Sequence, residues 1–168
     1  MASMTAELAR SLFTYEPDTG VLRWRVRTHQ KNQVGDVAGT VTKLGYVRVM
    51  YKQRCYMGHR VAWAVHHGVW PEKQVDHRNR RRGDNRIANL RLATQAQNAR
   101  NASAPRDGVS GVRGVQFLAS KGGVWRSVVR TGGKTYYFGH HHTFEAAVEA
   151  RRRGAQDLYG EFAPEEGT

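Results

Sequence analysis

Residues 74–98, QVDHRNRRRGDNRIANLRLATQAQN, place a long polar loop between two short strand-like segments. The stretch that follows the Asp76–His77 pair, RNRRRGDNR, contains no apolar side chain, so hydrophobic burial cannot hold its shape. Polar side chains must therefore hold the loop by bonding to backbone groups, a role that suits asparagine. Asn89 is the first candidate for this role and Asn85 is the second.

A strand–strand–helix unit is predicted around this loop. Residues 74–77 and 89–93 have the pattern of two short paired strands, and residues 94–102 have the pattern of a helix. A helix packed across such a hairpin brings Asp76, at the end of the first strand, close to Asn98.

The side chains gathered by this unit suit phosphodiester hydrolysis. Asp76 and Asn98 offer oxygen ligands, which fit a hard cation such as Mg²⁺ or Mn²⁺ better than zinc. Magnesium commonly takes one or two protein ligands together with substrate phosphate. The neutral imidazole of His77 can take a proton from the water that attacks phosphorus. The loop arginines expected to contact phosphate are Arg78, Arg80, Arg81, Arg82 and Arg86.

Charge indicates a polyanionic partner. The chain of 168 residues has a formal net charge of +13 and a pI near 10.6. Residues 1–102 carry +11 of this excess and residues 103–168 carry +2. Nucleic acid is the commonest partner of such a surface. Double-stranded DNA is the partner expected here, and an RNA-binding module is the alternative that the charge leaves open.

Cysteine content and hydropathy exclude several classes. Cys55 is the single cysteine, so neither an intrachain disulfide nor a thiolate zinc cluster can form, and no structural zinc is expected. No apolar run has the length of a membrane span, and no apolar core follows the initial methionine. The protein is therefore expected to be soluble, intracellular and without membrane contact.

Composition predicts two domains of an α+β protein. Residues 1–102 form the first, 103–110 a linker of small and polar residues, 111–163 the second, and 164–168 a tail.

The first domain is expected to begin with a β-rich extension. A helix over residues 6–13 with Thr5 as its cap precedes a hairpin that turns at 16–20. A second hairpin turns at Lys52–Gln53, and a helix covers 59–68.

The second domain is predicted to be a three-stranded sheet with one helix. The strands GVRGVQFL, VWRSVVR and KTYYF are separated by two Gly–Gly pairs that mark tight turns. An amphipathic helix over 143–160 follows, and Arg151 interrupts its apolar stripe and is expected at the edge of that stripe. The sheet region is basic whereas the helix and tail carry the acidic residues, which predicts that the sheet faces DNA.

The segment around Asp76–His77 resembles the HNH nuclease motif, whose fold is a ββα unit that binds one divalent metal. Asn89 and Asn98 follow His77 by 12 and 21 positions, as in the phage-type branch of that family. The resemblance extends over residues 13–102. It implies that His77 and Asn89 are catalytic and that Asp76 and Asn98 bind the metal.

The stretch His59, Arg60 and Trp63 also resembles the phage-type branch. His59 has two interpretations: it contacts phosphate near the metal, or it caps the helix that it begins.

Residues 109–163 resemble the AP2 DNA-binding domain, which also occurs attached to HNH homing endonucleases. Gln116 stands where that family usually has an arginine. The run His140–His142 is interpreted as a solvated turn, because three consecutive side chains do not easily converge on one ion. The side chains predicted to contact DNA from this domain are Arg113, Gln116, Arg126, Arg130, Lys134 and Tyr137.

Together the two resemblances predict a homing-type DNA endonuclease that nicks or cuts both strands at a specific site. A monomer with one metal centre is expected to nick. A phage-encoded protein of this kind would act in the cytoplasm of the bacterial host. The alternative function is a non-catalytic DNA-binding regulator that retains a nuclease fold.

Overall fold

The computed structural model describes residues 3–100 and 110–163. Within these ranges the chain consists of short helices and small antiparallel sheets, in agreement with the predicted α+β class. None of the helices in the described part of the chain has the length and apolar character that a membrane span requires.

Contacts divide the chain into two compact units, Met1–Ala96 and Gln97–Thr168. The division falls within a helix, α3 (Gln95–Arg100), which confirms the helix predicted there. The predicted linker, residues 103–110, and the tail, residues 164–168, lie almost entirely outside the described residues. Both therefore stay predictions.

The predicted N-terminal helix and hairpin are both present. Oγ1 of Thr5 caps the helix by accepting a hydrogen bond from the Leu8 N–H at 3.2 Å. In the hairpin, Phe13 lies opposite Trp24, and their ring centroids are 4.7 Å apart in the core. The elements are α1 (Ala6–Leu12), β1 (Phe13–Glu16) and β2 (Val21–Trp24).

The predicted hairpin at Lys52–Gln53 is confirmed and belongs to a three-stranded sheet. Both turn residues have positive φ, +45° and +61°, as a two-residue type I′ turn requires. The additional strand has two exposed residues and no apolar alternation that could have predicted it. In sheet order the strands are β3 (Thr40–Val41), β4 (Val47–Tyr51) and β5 (Arg54–Met57).

The next helix supplies much of the core of the first unit. This helix, α2 (Gly58–His67), ends at Gly68, whose φ of +75° gives the left-handed cap that glycine favours. Val61, Ala62 and Ala64 are fully buried on its inner face. The core also contains Phe13, Leu22, Val49, Val75 and Leu90.

Residues 78–86, called here the basic loop, lie between two short antiparallel strands. These are β6 (Gln74–His77) and β7 (Leu90–Ala93). Their register places Asp76 opposite Arg91. A 3-10 turn, Ile87–Asn89, precedes β7, so Asn89 lies at the end of the loop and not in the strand as predicted.

The second unit contains the predicted sheet, in the order β8-β9-β10, with one helix packed on it. Oγ1 of Thr143 caps that helix by accepting a hydrogen bond from the Ala146 N–H at 3.2 Å. Gly132 and Gly133, both with positive φ, form the second predicted tight turn, whereas the first Gly–Gly pair ends a longer connection. The elements are β8 (Val115–Leu118), a 3-10 turn (Ala119–Lys121), β9 (Val124–Thr131), β10 (Lys134–His141), α4 (Phe144–Tyr159) and a 3-10 turn (Gly160–Phe162).

The histidine run differs from the predicted turn. His140 and His141 belong to β10, beyond an irregularity in its pairing with β9. One ring nitrogen of His141 lies 3.0 Å from the carbonyl oxygen of Phe138, while His140 and His142 are exposed.

Arg151 is buried, so its predicted place at the edge of the helix stripe is wrong. It is 4% exposed, whereas Arg152 and Arg153 are exposed and both pair with Glu149. Helical periodicity decides its position, because Arg151 lies three or four positions from Ala147, Gly154 and Ala155, which are all buried on the same face of α4.

Gly154 provides a test of the packing of α4 on the sheet. A Cβ at this position would lie 2.3 Å from the ring of Phe138. We therefore expect Gly154→Ala to lower the free energy of unfolding by about 1–3 kcal/mol through overpacking. The same change in an exposed helix would raise it by up to about 1 kcal/mol. Urea unfolding measures the difference, with Gln156→Ala on the exposed side of α4 as the control. A stabilised Gly154→Ala variant would contradict this packing.

Candidate active site

Asp76 and His77 end β6 and are buried, at 6% and 5% exposure. The loop after them is closed by Asn89, which bonds to backbone groups at two points. Oδ1 of Asn89 accepts a hydrogen bond from the Asn79 N–H at 3.0 Å, and its Nδ2 donates to the carbonyl oxygen of Asp84 at 2.7 Å. One side chain thus holds the near and far parts of the loop together.

Asp84 is a second internal support of the loop. Its carboxylate accepts hydrogen bonds from Nδ2 of Asn79 at 2.7 Å and from Nε and Nη2 of Arg86 at 2.8 and 2.6 Å. The hydrogen bonds from Arg86, followed by that from Asn79, outweigh burial and lower the pKa of Asp84 to about 2. Arg86, predicted to contact phosphate, is thus engaged by Asp84 in this structure.

Asn85 contacts His77 directly and does not bridge the loop as the sequence suggested. Oδ1 of Asn85 lies 3.0 Å from Nε2 of His77, and Asn85 is 2% exposed. Because an amide oxygen only accepts, this pairing places the proton of the neutral imidazole on Nε2 and leaves the lone pair on Nδ1. The Tyr15 hydroxyl donates to the backbone carbonyl of Asn85 at 2.7 Å, so the N-terminal hairpin supports this contact.

Burial lowers the pKa of His77. The hydrogen bond to Asn85 and the charges of Asp76 and Asp84 oppose that shift, while the Arg82 charge adds to it. Burial, with the Asp84 and Asp18 charges, raises the pKa of Tyr15 to about 12, so its hydroxyl stays a donor.

Two aromatic side chains lie beside His77. The ring centroid of His59 is 5.0 Å from that of His77, and Tyr46 is 5.7 and 6.1 Å from the two imidazoles. The guanidinium of Arg82 lies over the Tyr46 ring at 5.0 Å.

His59 does not cap α2, because Met57 is the N-cap residue and makes no side-chain cap bond. His59 is 7% exposed, and its Nδ1 has no hydrogen-bond partner among the described residues. Burial, then repulsion from His77 and Arg60, lowers the pKa of His59 to about 3, which keeps it neutral at pH 7.

Asp76 forms a buried ion pair that the sequence reasoning missed. Nε and Nη2 of Arg91 both contact Oδ2 of Asp76, at 3.0 and 2.9 Å. Arg91 is 5% exposed. Strand pairing was the signal for this contact, because the two residues were predicted to lie on paired strands, 74–77 and 89–93.

Asn98 lies on α3 in the second unit and is partly exposed. Its predicted role as a metal ligand together with Asp76 stays a prediction. Across residues 3–100 and 110–163, no three His, Cys, Asp or Glu side chains are placed to hold a metal ion. The predicted pair of Asp76 and Asn98, one carboxylate and one amide, is not a cluster of that kind.

Comparison with known proteins supports the nuclease assignment. Residues 56–100 match the family model described as HNH endonuclease, a segment that contains Asp76, His77, Asn89 and Asn98. This segment is similar to HNH endonucleases. The chain is also 28% identical over 120 residues to Protein 3.8 of Escherichia phage T7, a match covering 70% of this chain and 98% of that protein. No solved structure matches the chain.

The donor types of Asp76 and Asn98 fit a hard divalent cation. Asp76 offers carboxylate oxygens and Asn98 an amide oxygen, which are the groups that Mg²⁺ and Mn²⁺ accept. The Arg91 guanidinium holds Oδ2 of Asp76 and so fixes the orientation of the carboxylate.

The arginines of the basic loop, residues 78–86, differ in exposure. Arg81, Arg82 and Arg86 are exposed, whereas Arg78 and Arg80 are partly buried. Arg80 has a φ of +61°, which follows from the tight turn that its N–H makes to the carbonyl oxygen of His77 at 3.0 Å.

The second unit has one sheet face covered by α4 and one that faces away from it. Ser127 lies under the helix, since its hydroxyl donates to the Ala147 carbonyl oxygen, and the Trp125 ring packs on Phe144 at 4.9 Å. Alternation therefore points Arg126 and the other even-numbered side chains of β9 away from the helix.

This outward face, called here the open face, carries most of the predicted DNA contacts. Arg126 lies between Gln116 and His140 on neighbouring strands, and its Nη2 donates to Oε1 of Gln116 at 2.5 Å. Tyr137 is 69% exposed, opposite Val128. Arg130 is on the same face, whereas alternation puts Lys134 on the other, and Arg113 precedes β8. The AP2 resemblance stays a prediction.

The Asp76–Arg91 pair yields a stability prediction. Asp76→Ala leaves the buried Arg91 without its carboxylate, so we expect a loss of about 3–5 kcal/mol in the free energy of unfolding. Asp76→Leu combined with Arg91→Met should recover most of that loss, because apolar side chains of similar size can replace a buried ion pair. A double-mutant cycle by urea unfolding measures the coupling. Additive single effects would show that the two side chains do not stabilise each other.

Proposed function

We propose that the protein is a metal-dependent DNA endonuclease of the homing type, which hydrolyses phosphodiester bonds at a specific site. The observation that carries this proposal is the buried His77, held at Nε2 by Asn85 and adjacent to Asp76, within the segment that matches HNH endonucleases.

The held imidazole supplies the base. With its proton on Nε2, His77 takes a proton from water at Nδ1. The water oxygen forms a bond to phosphorus, the bond from phosphorus to the departing sugar oxygen breaks, and that oxygen takes a proton from solvent. A divalent cation held by Asp76 and Asn98 would supply positive charge at the phosphate and at the departing oxygen.

The cationic groups around His77 support the choice of a nucleic-acid substrate. Arg81 and Arg82 are exposed on the loop, and Arg82 lies against Tyr46, whose ring faces both imidazoles. His59 is neutral and lies beside His77, and we propose that it donates a hydrogen bond to phosphate, the first of its two interpretations from sequence.

The second unit is proposed to add affinity and register on the duplex. Its open face combines Arg126 and Arg130 with an exposed Tyr137, a combination that suits phosphate contacts and base-edge or stacking contacts. The exposed side of α4 carries Glu149, paired to Arg152 and Arg153, and offers less net positive charge.

The first test of the proposal is cleavage by His77→Ala. We expect this variant to lose at least about 100-fold in the nicking rate of supercoiled plasmid, because the proton acceptor is gone, while plasmid affinity stays near that of the parent. Parent activity should require Mg²⁺ or Mn²⁺ and stop with EDTA.

His29→Ala, which removes an exposed imidazole, is the matched control and should cut normally. Near-parental cutting by His77→Ala would refute the assigned base. Binding without cutting by the parent chain, with either metal, would instead support the non-catalytic regulator.

The second test concerns the open face. Arg126→Ala with Arg130→Ala should reduce the slope of log affinity against log salt concentration by up to about two units, because each lost phosphate contact removes about 0.9. Arg152→Ala with Arg153→Ala removes the same charge from the exposed side of α4 and should change the slope by less than half as much. Fluorescence titrations at several salt concentrations provide the slopes. Equal slopes for the two double variants would mean that this face does not bind DNA.

A further inference from the structure

The connection between β3 and β4, residues 42–46, carries an exposed apolar side chain beside the candidate active site. Leu44 is 68% exposed. Single exposed leucines are common, but this one has cationic neighbours. Lys43 precedes it, and Nη1 of Arg82 donates a hydrogen bond to its carbonyl oxygen at 3.2 Å. We refer to residues 42–46 as the hairpin tip.

The hairpin tip is held in one conformation by its own backbone. The Thr42 N–H donates to the Tyr46 carbonyl oxygen, and the Gly45 N–H donates to the Thr42 carbonyl oxygen, both at 2.8 Å. Oγ1 of Thr42 accepts from the Tyr46 N–H at 3.2 Å. Because this turn is already ordered, its side chains can bind a partner without the entropy cost of ordering a loop.

The hairpin tip is also attached to the basic loop. Gly45 has a φ of +85°, and a Cβ added at Gly83 would lie 3.3 Å from its carbonyl oxygen, so the two backbones approach closely. The Arg82 guanidinium covers the Tyr46 ring, which is 6.1 Å from the His77 ring. Leu44 is two residues from Tyr46, a separation of at most about 7 Å along the chain.

We propose that Leu44 inserts between base pairs of the bound duplex and unstacks a step close to the bond that His77 hydrolyses. The proposal rests on the proposed function. Leucine is one of the apolar wedges that proteins insert into DNA, and such wedges kink and locally unwind the duplex. Lys43 and Arg82 can contact the phosphates that flank the opened step. With a rise of about 3.4 Å per base pair, that step lies within a few base pairs of the active site.

A second copy of this chain is the competing occupant, because Val41 on the same hairpin is 71% exposed. The cationic surroundings favour DNA, since two copies would bring Lys43 and Arg82 towards like charges.

Plasmid topology tests the wedge without knowledge of the target site. Closed circular plasmid is relaxed by a topoisomerase in Mg²⁺ while bound by full-length His77→Ala protein, in which cleavage is expected to be lost. The linking number is then read on a gel. Protein bound to the same plasmid is measured by sedimentation.

We expect the bound protein to change the linking number. Leu44→Ala should reduce the change per bound protein by at least about half, and Leu44→Met should retain it, because both leucine and methionine act as wedges. Val34→Ala, an exposed valine outside the hairpin tip, is the matched control and should keep the full change.

The remaining outcomes separate this proposal from the proposed function. Equal linking-number changes in all variants, with DNA bound, would reject the wedge and leave the nuclease proposal standing. If Leu44→Ala alters the molar mass by light scattering but not the linking number, the hairpin tip joins two copies of the chain and the wedge is wrong. Absence of DNA binding by every variant would remove the proposed function and the wedge together.

Discussion

The candidate site depends on how a loop without apolar side chains is kept in one shape. The side chain of Asn89 bonds to the backbone on both sides of the loop, and Asp84 accepts hydrogen bonds from Asn79 and Arg86. Each hydrogen bond contributes only about 1 kcal/mol net to stability, but a buried polar group left without a partner lowers stability by more. The hydrogen bonds of the loop are therefore expected to form together. The proposed function depends on this closure, because Asn85 lies in the loop and contacts Nε2 of His77.

Other buried polar groups of the first unit also depend on having a partner. Asp76 is a carboxylate removed from water, and Arg91 across the strand pair compensates its charge. The imidazoles of His59 and His77 need no such partner, because burial lowers their pKa values and favours their neutral forms. In the proposed function, a neutral His77 would act as the base, and the ion-paired Asp76 beside it would present a carboxylate oxygen in a fixed orientation.

Sequence patterns predicted the parts governed by local rules. Apolar periodicity, Gly–Gly pairs and cap residues predicted α2, α4 and the β9–β10 hairpin, and motif spacing pointed to the segment that matches HNH endonucleases. Contacts between distant residues were not accessible in the same way. Tyr15 supports Asn85 from 70 positions away, and β3 has no pattern beyond its pairing with β4. The charge of Arg151 predicted the edge of the helix stripe, but its helical position turns it inward, and it is buried.

Net charge overstates the number of cationic side chains that this protein could offer to a polyanion, because several of its arginines have structural partners. Arg91 neutralises Asp76, Arg86 is engaged by Asp84, and Arg60 donates to the carbonyl oxygen of Pro71 at 2.6 Å. The excess of +11 on residues 1–102 is therefore not a count of phosphate contacts. Each of these three arginines contacts a carboxylate or a backbone carbonyl group. The small apolar core could not satisfy such polar groups. In a chain of this kind, positive charge both completes the fold and provides the surface that attracts a polyanion, and the salt dependence of binding reports only the second of these roles.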